Sequence, residues 1–279
     1  MLEIIFLYSL ALIWILFATI QDTRTTEVAN WLNFSLIAFA LGFRFFYSLF
    51  LGNFGFLYQG LIGLAIFYAL GNLLYNARMF AGGDAKLFVS LGAVLPVSGN
   101  FFPNLENLLL FLLIFFVVGA VYSIATSAWL CARNYRGFRK KFRRQFKEKK
   151  KFVNLITLLA IITGISGLLI ASILFYLAIL FFALPYLYLY AKAVDEAAMI
   201  REVPVGNLME GDWLYKDVKL RNRTIKATWN GLDKKEILLL RKHKKKVWIR
   251  KGVAFTPVFL ISFIIFFYLM AAGLGNPFW

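Results

Sequence analysis

The sequence predicts an all-α polytopic membrane protein of about eight transmembrane helices, with a small α+β cytoplasmic domain before the last helix. Three observations predict it. Of the 279 residues, 61% are hydrophobic and only 16% charged, giving a mean hydropathy of +0.72. An ordinary soluble domain carries about 25% charged residues. Long stretches, such as 4–21 and 152–191, hold no charge at all. The basic residues gather in a few polar segments between such stretches.

Each span follows from an apolar run long enough to cross a hydrocarbon core of about 30 Å at about 1.5 Å per residue. The first covers 4–21; Glu3 and its length argue for a span over a cleavable signal segment. A short polar loop, 22–27, leads to a second span over about 28–50, with Arg44 placed to snorkel toward the interface. A turn at 52–55 precedes a third span, 56–76. Residues 78–86 then lead into a shorter fourth span, 87–97, and a fifth covers 107–132. Residues 1–132 thus form a core of five spans. A basic loop, 133–151, holds eleven Lys or Arg and one Glu. The uncharged stretch 152–191 would be a helix twice too long for one crossing, so it reads as a transmembrane hairpin turning within 164–172. Residues 192–251 read as the α+β domain, with short strands near 203–214 and an amphipathic helix over 234–246. The last span lies within 252–279 and ends on Asn276, Pro277, Phe278 and Trp279, an interface-like terminus.

The charge distribution tests this topology. Crossings alternate sides, so loops 21–27, 77–86, 133–151 and 192–251 fall on one face. They hold 30 of the 31 Lys and Arg residues, and only Arg44 is left over. Cytoplasmic loops collect such residues. The expectation is a plasma-membrane protein with these loops inside and both termini outside. Topology therefore explains the net charge of +17, and nucleic acid is not expected as a partner. The basic segments are expected to meet anionic lipid headgroups. One cysteine, Cys131, and one histidine, His243, leave no material for a disulfide, a cysteine-based zinc site or a histidine-based triad. No metal and no cofactor is expected.

Two carboxylates stand out. Asp22 ends the first span and Asp84 lies between the third and fourth, on the same membrane face. An ionisable group at the edge of hydrocarbon is a functional candidate by default. Gly82 and Gly83 precede Asp84 and permit close approach of another chain; the plainer alternative is a helix N-cap aspartate. When two carboxyl groups share a site, one proton is retained between them. The ionised member can then activate water, and the protonated member can polarise a carbonyl and donate to a leaving amine.

These residues resemble the type IV prepilin peptidase family, whose archaeal branch processes prepilins and prearchaellins. The family's first aspartate lies in contexts like D-x-R-x-x-x-[IV]-P-N-x-L. Here Asp22, Arg24, Val28, Asn30 and Leu32 match in place, with Ala29 at the proline position. The second lies in G-x-G-D-[VA]-K-[LA], matched by Gly83, Asp84, Ala85, Lys86 and Leu87, with Ala81 at the first glycine. Looser likeness to archaeal members extends over 200–262. The resemblance implies a membrane aspartic endopeptidase that removes the short basic leader of prepilin-like or prearchaellin precursors at the cytoplasmic face. Asp22 and Asp84 would be catalytic, with Gly82, Gly83, Lys86, Arg24 and Asn30 shaping the site. Glu27 is a candidate for pairing with a basic leader residue. Bacterial members often add a four-cysteine loop and a methylase portion; this chain shows neither, so no N-methyltransferase activity is expected. Two other readings differ in where they want their charges. A presenilin-like or signal-peptide-peptidase-like protease wants its first aspartate deep in a span, whereas Asp22 adjoins Thr23 and Arg24. A transporter or scaffold would place ionisable groups near the midplane, often within repeats, and no internal repeat is visible.

Overall fold

The computed structural model describes residues 2–272 apart from 170, 221, 222, 230 and 245. The aromatic ending 276–279 lies outside the described residues, as does position 170 of the expected hairpin turn. Six helices are long and apolar enough to cross a membrane. They are α1 (Leu2–Thr25), α2 (Asn30–Leu51), α3 (Gly55–Asn76), α5 (Phe101–Arg133), α6 (Tyr135–Leu169) and α7 (Ser172–Val194). Two helices of the compact unit that holds α1, α2 and α3 are shorter: the apolar α9 (Thr256–Ala271) and α4 (Gly82–Gly92). The chain is a mostly helical, polytopic membrane protein with a small α+β portion. It divides into two compact units, one made of 1–123 with 253–279 and the other of 124–252.

In the first unit, α4 is the element that most needs explanation. Eleven residues rise only about 16 Å, and residues 93–96 beyond it are non-helical yet buried. Irregular backbone at membrane depth is tolerated only where the protein satisfies it. Arg44 does so. Its Nε donates to Ala93 O at 2.8 Å, Nη1 to Phe56 O at 2.9 Å, and Nη2 to Val94 O at 3.0 Å and to Pro96 O. Tyr8 donates its hydroxyl to Leu95 O at 3.2 Å. The guanidinium also lies over the Phe56 ring at 4.3 Å. Arg44, expected to snorkel to the interface, is instead fully buried, because three carbonyls beyond a short helix and one from the first turn of α3 offer it more than lipid headgroups would. Gly60 makes the room, since a Cβ there would fall 2.5 Å from Arg44 Cδ.

The flank of α4 packs on α3 through small residues. A Cβ at Gly92 would sit 2.5 Å from Gly63 O and 2.6 Å from Phe67 Cβ, and one at Gly71 would meet Val89 Cγ2 at 2.9 Å. Glycines allow two helix backbones to touch where lipid supplies no hydrophobic drive for association. Phe67 and Phe88 then stack at 4.5 Å, and Phe88 reaches Phe115 of α5 at 5.6 Å.

In the second unit, α6 and α7 form the hairpin, and a Cβ at Gly167 would run into the Phe175 backbone. The basic stretch expected as a loop is helical from Tyr135. Its reason is local and tertiary together. Phe138, Phe142 and Gln145 recur at helical spacing and turn inward, while Arg144 pairs with Glu148 at 3.5 Å and with Glu196 at 2.8 Å. The sheet β1 (Ile200–Pro204), β5 (Lys246–Arg250) and β2 (Trp213–Leu214) is antiparallel in the order β1-β5-β2. A two-stranded ribbon joins β3 (Val218–Lys219) and β4 (Thr224–Ile225). Helix α8 (Lys234–His243) opens with a capping box of Asp233 and Glu236 and contributes Ile237 and Leu240 to a core with Val205, Leu214, Val247 and Ile249.

Replacing Arg44 with Met strands the carbonyls around the end of α4. Each orphaned buried acceptor costs about 1–3 kcal/mol, so thermal unfolding in detergent is expected to drop by several degrees or the protein to stop accumulating. Gly92→Val is expected to do the same by overpacking. Gly42→Ala, with open space around it, is expected to leave the melting temperature unchanged or raise it slightly.

Candidate active site at the ends of α1 and α4

Asp22 lies in the last turns of α1, not beyond it, and is buried to 6% exposure. One of its oxygens, Oδ2, accepts two hydrogen bonds from Thr256, the first residue of α9: the backbone N–H at 3.2 Å and the hydroxyl at 2.9 Å. Thr256 is fully buried. The approach to α9 is fixed by the Tyr122 hydroxyl, which donates to Ala254 O at 2.8 Å.

Asp84 sits in the first turn of α4, whose N-cap is Ala81. The turn before it is anchored by Phe80, which is buried against Phe88 and Phe115 and, at 6.0 and 6.2 Å, against Phe255 and Phe259. Phe255 immediately precedes Thr256. Packing thus sets the lead-in to Asp84 beside the residue that holds Asp22. A second link comes from the other side. Gly83 lies so close to Val28 that an added Cβ would meet its Cβ at 3.3 Å and its backbone N at 3.4 Å. Lys86 then donates to Asn30 Oδ1 at 2.6 Å. The loop after Asp22 and the start of α4 are therefore in contact through four of the residues the sequence singled out or flanked.

The charges of the two aspartates interact. Crowding by protein atoms, although part of Asp84 stays open to solvent, and then the charge of Asp22 push the Asp84 carboxyl up to about 7; a backbone hydrogen bond at Ala81 opposes this. Two non-glycine residues with positive φ mark the same loops, Thr26 at 59° and Arg78 at 61°. A β-branched residue in that region is strained by about 1–3 kcal/mol, and Thr26 recovers part of it through its backbone bond to Asp22 O at 2.7 Å.

The remaining expected residues are near but peripheral. Arg24 and Glu27 are exposed on the segment after Asp22. Gly82 is exposed, with only Tyr75 within reach of an added Cβ, at 4.0 Å. Among the described residues there is no group of three or more His, Cys, Asp and Glu side chains suited to a metal ion. Sequence reasoning assigned no role to Thr256. Its signal was faint: a threonine before a proline at the start of an apolar helix.

Fold and site together define a helical membrane protein with one buried aspartate in the last turns of α1 and a second, under the influence of its charge, in the first turn of α4. Residues 9–124, the segment that carries both aspartates, match the type IV leader peptidase family. The chain is 27% identical over 89 residues to a preflagellin peptidase of Methanococcus maripaludis, covering 32% of this chain and 38% of that protein. It is 25% identical over 134 residues to the preflagellin peptidase of Methanococcus voltae, covering 46% and 57%. The chain thus matches between about two fifths and three fifths of the length of these relatives. No solved structure matches it significantly.

The geometry sets different tolerances at the two glycines. Gly83→Val is expected to force α4 from Val28 and lower stability by about 1–3 kcal/mol. Gly82→Ala is expected to stay within about 0.5 kcal/mol. Thermal unfolding of the two variants side by side checks this.

Proposed function

We propose that the chain is a membrane aspartic endopeptidase that removes the short basic leader of prepilin-like or prearchaellin precursors at the cytoplasmic membrane face. One observation supports the reading: Asp22, in the last turns of α1, and Asp84, in the first turn of α4, are distant in sequence, yet the charge of one acts on the other, within the segment matched to leader peptidases.

The chemistry follows from one proton shared by two carboxyls. The ionised carboxylate takes a proton from water as the water oxygen attacks the scissile carbonyl carbon. The protonated carboxyl hydrogen-bonds the carbonyl oxygen as charge develops there. Collapse breaks the C–N bond, and the amine leaves with a proton from the pair. One amide and one water become an acid and an amine, and the pair again holds a single proton. Arg24, Asn30, Lys86 and the two glycines shape the surroundings, and Glu27 is placed to pair with a basic leader residue. The face assignment rests on the positive-inside distribution. The basic face of α6 is suited to anionic lipid headgroups, each basic residue near the surface contributing about 1 kcal/mol.

The test is cleavage of a prepilin-like precursor by the reconstituted protein. Asp22→Asn and Asp84→Asn are each expected to abolish leader removal while the protein still accumulates; cleavage surviving in either variant removes that residue from the mechanism. The pH profile has a fixed sign. Asp84 holds its proton below about 7 and loses it above, so cleavage is expected to fall as pH rises through that value. A rate that keeps rising to pH 9 contradicts the shared proton.

A further inference from the structure

We infer that Thr256 divides the labour of the pair: by occupying Oδ2 of Asp22 with two donors it makes Asp22 the base that takes the proton of water, and leaves the shared proton to Asp84. The inference rests on the paired-aspartate reading and deepens it.

The argument starts from one oxygen. A backbone N–H can only donate, and it meets Asp22 Oδ2 at 3.2 Å, so Oδ2 is an acceptor. The Thr256 hydroxyl meets the same oxygen at 2.9 Å. A carboxyl oxygen bearing a proton is poorly suited to receive both. Ionised aspartate, by contrast, has only acceptors and about four lone-pair sites, and hydrogen bonds to the charged form favour it. No solvent competes, since Thr256 is fully buried and Asp22 nearly so. The N–H is also one that α9 cannot satisfy within itself, because the first N–H groups of a helix lack intrahelical acceptors. That helix end carries partial positive charge, which adds to the preference for an anion there. Only Oδ1 of Asp22 remains to take a proton. Among the described residues, what opposes the burial of Asp84 is a backbone hydrogen bond at Ala81, and no second helix gives it the side-chain and backbone donors that Thr256 gives Asp22. The two carboxyls are thus unequal by construction, and the difference comes from α9, outside the segment 9–124 that matches the peptidase family.

Thr256 is a positioning residue, so its test needs a readout that mere structural support would not move. The measurement is the pH dependence of precursor cleavage at saturating substrate, on the protein in lipid vesicles. Thr256→Val keeps the shape and the N–H but removes the hydroxyl. Its acid limb is expected to move up by about one pH unit, a tenfold change in the ionisation ratio, while the alkaline limb stays in place. Thr256→Ser is expected to restore the original limb. Ser262→Ala, on the same helix and with a buried hydroxyl lacking a partner among the described residues, is expected to leave both limbs unmoved. Should the valine variant not fold, Thr256→Ala is read in the same way. An unmoved acid limb, or a moved alkaline limb instead, overturns the assignment. Asp22→Asn and Asp84→Asn run alongside: if both are inactive the paired-aspartate reading stands whatever Thr256 does, and if either still cleaves, that reading fails first.

Discussion

Inside a helix bundle in lipid, a polar group has only the rest of the chain to bond to. The first unit of this protein is arranged around that constraint at both ends of α4. At the C-terminal end, the four carbonyls of 93–96 and that of Phe56 are met by Arg44 and Tyr8. Along its flank, glycines bring its backbone against α3. The helix is therefore a short rigid peg, and Asp84 is carried on its first turn, beside the contact of Gly83 with Val28. Asp22 faces the same constraint at the end of α1 and meets it with Thr256. The pair is held by elements that would be unsatisfied without these contacts, so the cost of desolvating one group is offset by the stabilisation of another.

Much of this was legible in the sequence. The apolar runs gave the six long helices because their length and lack of charge admit little else. Asp22 and Asp84 stood out because each interrupts an apolar pattern at a span end, and Gly83 because a glycine before an aspartate permits the contact that Val28 now makes. Asn30 and Lys86 were singled out separately, and they are hydrogen-bonded to each other.

What escaped the sequence reading has a common physical origin. Arg44 sits near a span end, where a local rule sends it to the interface; its true partners are carbonyls that become available only after α4 stops short. Thr256 is 234 residues from Asp22, and nothing local distinguishes it from any threonine opening a helix. The stretch 133–151 reads as a loop if only its charge is counted, yet Phe138, Phe142 and Gln145 recur at helical spacing, and that signal was available. What local pattern missed at Arg44 and Thr256 is a partner that lies in another part of the chain.

The central claim is that two distant carboxylates meet. Its most direct measurement is a cross-link. In a Cys131→Ser background, Asp22→Cys and Asp84→Cys are combined and treated in membranes with a short bifunctional thiol reagent. The account predicts an intramolecular cross-link that forms efficiently and at low protein density, with each single-cysteine chain giving none. A double variant that stays folded and reactive toward a monofunctional reagent, yet is never bridged, would contradict it.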